Sequence, residues 1–122
     1  MRTETTTERT KQQRNRGAMD ECIENCLECS RVCLETVPEC LKMGGKHAEA
    51  DHIALLFNCA DICQTSAKFM ISGSPLHVAT CRACAEVCDA CAKQCQSMGE
   101  GMEDCAEACK RCVESCREMA AH

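Results

Sequence analysis

The apolar positions recur at alternating steps of three and four residues. They run Cys22, Cys26, Cys29 and Cys33, with Cys40 on the same face seven residues on, then Cys81, Cys84, Cys88, Cys91 and Cys95, then Cys105, Cys109, Cys112 and Cys116. At about 100° per residue each set falls on one stripe of an α-helix, roughly 60–80° wide. No period-two run indicates a strand. Breakers divide the pattern into four predicted helices. The first spans about 19–43 and is closed by Gly44-Gly45, and the second spans about 47–71 and is closed by Gly73. The third is opened by Ser74 as N-cap and Pro75 in the first turn and runs to about residue 98, and the fourth spans about 102–120 after Gly99-Glu100-Gly101. Pro38, inside the first, is expected to bend it or interrupt it briefly. The second helix differs, its stripe reading His52, Leu55/Leu56, Cys59, Cys63, Ser66, Met70. Short connections make neighbouring helices antiparallel. The predicted fold is all-α, an antiparallel up-down-up-down four-helix bundle with a cysteine-lined core.

Composition shifts the picture from a leucine seam to a thiol one. Sixteen of 122 residues are cysteine, Trp and Tyr are absent, and Phe57 and Phe69 are the only aromatics. Residues 1–17 are polar and read as a flexible basic tail, with 18–122 as the bundle domain. The tail carries five basic residues against two acidic ones, a net of +3, so the remainder of a chain of net charge −5 carries −8. An acidic body with few aromatics argues against nucleic acid as partner. No apolar leader or membrane span is read at the start, which places the chain in the cytoplasm, where thiols stay reduced. Cysteines spaced i,i+3 and i,i+4 also hold their Cβ atoms too far apart for disulfides without breaking the helix.

A stripe of this density needs a chemical reason, because ordinary cores mix Leu, Ile, Val and Phe for shape. Sixteen thiolates in a low-dielectric core demand neutralisation. A divalent ion in a four-thiolate site leaves −2 at each site, whereas a monovalent ion replacing a thiol proton leaves charge unchanged. Cu(I) is soft, monovalent and satisfied by two or three sulfurs. With sulfurs bridging, capacity is on the order of fifteen ions per chain, which is a storage load. The candidate ligands are Cys22, Cys26, Cys29, Cys33, Cys40, Cys59, Cys63, Cys81, Cys84, Cys88, Cys91, Cys95, Cys105, Cys109, Cys112 and Cys116. Thioether and imidazole are further copper donors. One bundle end collects Met43, His47, His52, Met98 and Met102, the preferred uptake mouth; the other collects Met19, Met70, His77 and Met119. Phe57 with Ile53 projects away from the thiol stripe, either as a subunit interface or against a helix edge.

The CxxxCxxCxxxC runs at Cys22–Cys33 and Cys105–Cys116, the CxxCxxxCxxCxxxC run at Cys81–Cys95 and the Cys59/Cys63 pair resemble the bacterial copper storage proteins, the Csp family, and its cytosolic branch. The resemblance covers residues 19–120. It implies non-enzymatic storage of many Cu(I) ions by thiolates inside the bundle, uptake through one open end, and a homo-oligomer, often a tetramer. Where such proteins carry a histidine-rich connection before the last helix, this chain has Met98 and Met102. Two other readings remain at this point: a thiol redox sensor, with Cys81-Arg-Ala-Cys84 as its nearest motif, and a zinc-storing bundle.

Overall fold

A computed structural model describes residues 6–121, with side chains from Gly17 onward. Its elements are α1 (Thr6–Met43), a 3₁₀ turn (Gly45–Ala48), α2 (Ala50–Ile71), α3 (His77–Met98) and α4 (Glu103–Ala120). Each helix packs against two others, α1 on α2 and α4, and α3 on α2 and α4, closing a four-membered ring around one axis. Cysteine has middling helix propensity. Burial of the stripe, with alanine between thiols, supplies the drive: all sixteen cysteines are buried, beside Ala60, Ala67, Ala85, Ala92, Ala106 and Ala108. Leu56 is the one leucine fully buried among the described residues.

Several boundaries differ from the sequence expectation. Helical backbone begins at Thr6, upstream of residue 19. Residues 1–5 of the expected tail lie outside the described residues, as do the side chains of 6–16. Pro38 does not interrupt α1. The carbonyl it leaves without a donor belongs to Leu34, and both residues are exposed, on the side of the helix away from the core, where a missing bond costs least. His47 sits in the 3₁₀ turn rather than in α2. Regular α3 starts at His77, yet Ser74 still caps the approach, its Oγ accepting from the Leu76 N–H at 3.1 Å.

The α2–α3 connection shows why glycine is required at 73. Its φ is +75°, the Ser74 N–H donates to Phe69 O at 3.0 Å, and the Gly73 N–H donates to Met70 O at 3.1 Å. This is the Schellman arrangement, which needs a left-handed residue.

A uniform sulfur seam specifies helix register poorly, because a slip of one turn replaces cysteine by cysteine. Polar rungs between helices remove that degeneracy. Asn25 Nδ2 donates to Ser115 Oγ at 3.2 Å between α1 and α4, and Gln64 Nε2 donates to Ser30 Oγ at 2.9 Å between α2 and α1. His52 and Gln94 join α2 to α3 at 2.8 Å.

Candidate metal centre

The stripes face one another so closely that the sulfurs form a continuous column. It runs from Cys22 to Cys116 (3.7 Å), Cys26 (3.7 Å), Cys112 (3.6 Å), Cys63 (3.7 Å) and Cys88 (3.4 Å). From Cys88 it continues to Cys59 (3.5 Å), Cys109 (3.8 Å), Cys33 (3.9 Å) and Cys105 (3.8 Å). Neighbours within one helix also approach, Cys84 and Cys88 at 3.7 Å and Cys112 and Cys116 at 3.9 Å.

Four groups of four sulfurs and one of three lie within 4.8 Å of one another. The group Cys29, Cys63, Cys88 and Cys112 takes one thiol from each helix. Cys26, Cys84, Cys112 and Cys116 form a second group toward the far end, ending in the trio Cys22, Cys81 and Cys116. Cys29, Cys33, Cys59 and Cys109 form another, and Cys33, Cys91, Cys105 and Cys109 the last toward the mouth. Groups share members, so the column is a run of overlapping sites. Only Cys40 and Cys95 belong to none of them.

With metal–thiolate bonds of ~2.3 Å, a trigonal ion holds its sulfurs ~4.0 Å apart and a tetrahedral one ~3.8 Å apart. Both fit the observed spacing, so charge discriminates rather than distance. Every thiol is buried, and among the described residues no Lys or Arg is buried to balance a thiolate. Monovalent ions keep the column neutral as protons leave; divalent ions in shared four-thiolate groups do not.

Shared protons set the acidity of the thiols. Hydrogen bonds from Cys109, Cys33, Cys91 and Cys95 pull the Cys105 thiol down, while the Cys33 thiol is pushed up, chiefly by its bond with Cys105. Burial pushes the Cys40 thiol up, helped by nearby negative charge at Cys105, Glu39 and Cys91.

The soft donors expected at the two ends are only partly gathered. At the mouth, His52 is 1 % exposed with Nε2 at 3.3 Å from Cys40 Sγ, and Met102 Sδ lies 3.9 Å from the same sulfur. Met43 is exposed but reaches the α3–α4 turn, where its Cε lies 2.6 Å from the position a Cβ on Gly101 would take. His47 is half-buried, its Nε2 enclosed without a partner, and Met98 is half-buried at the core edge. At the far end Met70 Sδ is 3.8 Å from Cys81 Sγ and Met119 is buried, whereas His77 turns back to bond Ser74 O through Nδ1 at 2.8 Å. Phe57 is exposed, but Ile53 packs on the core, so the two do not form an outward pair.

Surface relief favours the same end. A groove of about 880 Å³ between α1 and α4 descends to Cys105 past Glu39 and Asp104, and a depression of about 400 Å³ over the α3–α4 turn reaches Cys95 and Met102.

Sequence reasoning missed Gln94. Gln94 lies three residues after Cys91, a flank position where a half-buried amide pointed to a partner across the helix pair. Ser66 was visible on the α2 stripe, where a buried hydroxyl without a partner now stands among the sulfurs.

A helical ring enclosing overlapping thiol groups defines a class of protein that holds many thiophilic metal ions in a core. The copper storage protein family profile matches residues 15–121, and the chain belongs to that family. Over 86 % of this chain and 96 % of the other, it is 51 % identical to a crystal structure from Nitrosospira multiformis, with a TM-score of 0.83. It is 36 % identical to the Cu(I)-bound copper storage protein Csp3 of Bacillus subtilis, covering 84 % of this chain and 98 % of that one at a TM-score of 0.79. A cytosolic copper storage protein from Streptomyces lividans, with five coppers, is 32 % identical over 88 % and 95 % of the two chains, with a TM-score of 0.75. The match to an uncharacterised cysteine-rich protein of Bacillus subtilis, 37 % identical over 66 residues, spans 61 % of that protein.

Proposed function

We propose that this chain is a non-enzymatic cytoplasmic reservoir that buffers Cu(I), holding many ions on the sixteen thiolates of its bundle core. The continuous sulfur column of overlapping groups carries the reading. A redox sensor needs one exposed, activated thiol, and every cysteine here is buried. Loading exchanges a thiol proton for each ion, so the core stays neutral as it fills. Membership of the copper storage family supports the reading, as does the cytosolic Streptomyces lividans relative for location. Domain 18–122 is the storage unit. Met43, His47, His52, Met98 and Met102 form the uptake mouth, where carboxylates Glu39 and Asp104 attract a cation.

The test is anaerobic titration of the reduced protein with Cu(I) against a strong chromophoric chelator. On the order of fifteen ions bound per chain is expected from bridging sulfurs. Saturation at one or two ions overturns storage in favour of a chaperone or sensor, and preferential saturation with about four zinc ions favours zinc.

A second copy of the chain is the proposed partner. Leu27, Leu34 and Leu41 stand exposed on α1 at seven-residue spacing, with Phe57 and Ile71 exposed on α2. Seven-residue apolar spacing is the seam pattern of helix association. Leu34→Glu is expected to reduce the mass measured by light scattering on a sizing column. An unchanged mass places the interface elsewhere.

A further inference from the structure

Five polar side chains are buried among the described residues, and four of them are satisfied. Ser30 accepts from Gln64, Thr36 donates to Val32 O, Ser115 bonds Asn25 and Arg111 O, and His52 bonds Gln94. Ser66 is the exception, 0 % exposed with an Oγ that makes no hydrogen bond. Even the usual outlet of a helical serine, the carbonyl four residues back, here Ile62 O, is not taken. Such an orphan lowers the folding constant by roughly tenfold. Its place in the bundle gives it a use. Three residues before it, Cys63 Sγ lies 3.7 Å from Cys84 Sγ, and four residues after it, Met70 Sδ lies 3.8 Å from Cys81 Sγ. Ser66 is therefore the α2 residue beside the Cys81–Cys84 turn of α3. Two sulfur groups end the column there, Cys26, Cys84, Cys112 and Cys116, then Cys22, Cys81 and Cys116, and neither takes a member from α2. Ser66 fills that corner with an oxygen.

We infer that the Ser66 hydroxyl is a hydrogen-bond donor held ready for the metal-bound sulfur of Cys81, unused while Cys81 is a thiol and engaged once that end of the column is loaded. This deepens the storage reading, on which it rests, by assigning a positioning residue that is not itself a ligand, since an alcohol oxygen is too hard for Cu(I). The Cys81 S–H now donates to Met70 Sδ. On loading, that S–H bond breaks, its proton leaves to water, and a Cu–S bond forms. The sulfur then carries more negative charge than a thiol and is the better acceptor. The Ser66 O–H needs only to turn about its C–O bond to meet it. Hydrogen bonds to an ionised acceptor are about twice as strong as neutral ones. Cys116, Cys22 and burial act most strongly on the Cys81 thiol, and the Ser66 hydroxyl acts on it as well, favouring the charged sulfur. Outer hydrogen bonds of this kind fix a ligand and tighten the metal it holds. The orphan thus weakens the empty bundle and strengthens the loaded one.

The test pairs urea unfolding of the reduced apo protein with anaerobic competition for Cu(I) against a chromophoric chelator. Ser66→Ala removes one oxygen and leaves every sulfur in place. Its apo folding constant is expected to rise by roughly tenfold, while the most affected ions pass to the chelator about tenfold more readily. A merely structural hydroxyl would move both quantities the same way. Ser66→Thr, which keeps the hydroxyl, is expected to hold copper as the wild type does. In a Cys81→Ala background, Ser66→Ala is expected to change copper retention no further, because the acceptor is already gone. An Ala variant that is less stable without metal, or that holds copper as tightly as the wild type, overturns the donor role. So does a Thr variant as weak as the Ala variant, or an undiminished effect of Ser66→Ala in the Cys81→Ala background. A wild type that saturates at one or two ions overturns storage itself, whatever the Ser66 variants do.

Discussion

Replacing Cys112 by alanine tests whether sulfur sharing organises the core. Cys112 Sγ lies 3.6 Å from Cys26, 3.7 Å from Cys63, 3.8 Å from Cys84 and 3.9 Å from Cys116, and it belongs to two of the four-sulfur groups. Its removal strips one donor from each group. If thiolates bridge, capacity falls by about two Cu(I) ions rather than one. Cys95, equally buried but in none of the groups, is the control, and Cys95→Ala is expected to cost at most about one ion. Both variants remove a single buried atom of methylene-like size, so apo stability should fall alike, by about 1 kcal/mol. The assay is anaerobic titration against a chromophoric chelator, with stoichiometry checked by native mass spectrometry and stability by urea unfolding. Equal ion losses in the two variants would refute the sharing argument and reduce the column to independent sites.

Three further outcomes follow from the same geometry. Leu56→Ala removes the fully buried leucine from a core of small side chains and should cost about 2–5 kcal/mol in urea unfolding of the apo protein; a loss below about 1 kcal/mol would mean that the surrounding thiols close the gap. Met98→Ala with Met102→Ala is expected to slow Cu(I) uptake in stopped-flow mixing by about tenfold, and unchanged rates would move the mouth to the end with Met70 and Met119. Burial pushes the Cys40 thiol up, so it is protonated throughout the neutral range and must shed a proton to bind. Cu(I) affinity should rise about tenfold per pH unit between pH 6 and 8 if each ion displaces one thiol proton, read by competition titration, and a flat profile would show that no thiol proton is displaced.

Much of this protein was legible before any coordinates. Three- and four-residue steps between cysteines specify helices and the face each buries, and glycine and proline mark the turns. Pro38 does not break α1, and it and Leu34, whose carbonyl loses its donor, both lie on the exposed side of the helix, where a missing bond costs least. His47 misled because Gly44 and Gly45 close the first helix into a 3₁₀ turn that absorbs it. Ile53 looked outward on a helical wheel, but it is half-buried and packs against the core.

Sequence by itself pointed to the class of chemistry, since sixteen thiols on helical stripes favour soft, charge-neutralising cargo, with a thiol redox sensor and a zinc store still open. Tertiary structure alone decided which sulfurs meet. A stripe of identical residues reads the same after a one-turn slip, so no periodicity says that Cys29, Cys63, Cys88 and Cys112 share one level or that Cys40 stands apart with His52 and Met102. That choice falls to the Asn25–Ser115, Gln64–Ser30 and His52–Gln94 rungs, contacts between residues far apart in the chain. Directional hydrogen bonds hold one register where the non-directional packing of thiols tolerates several.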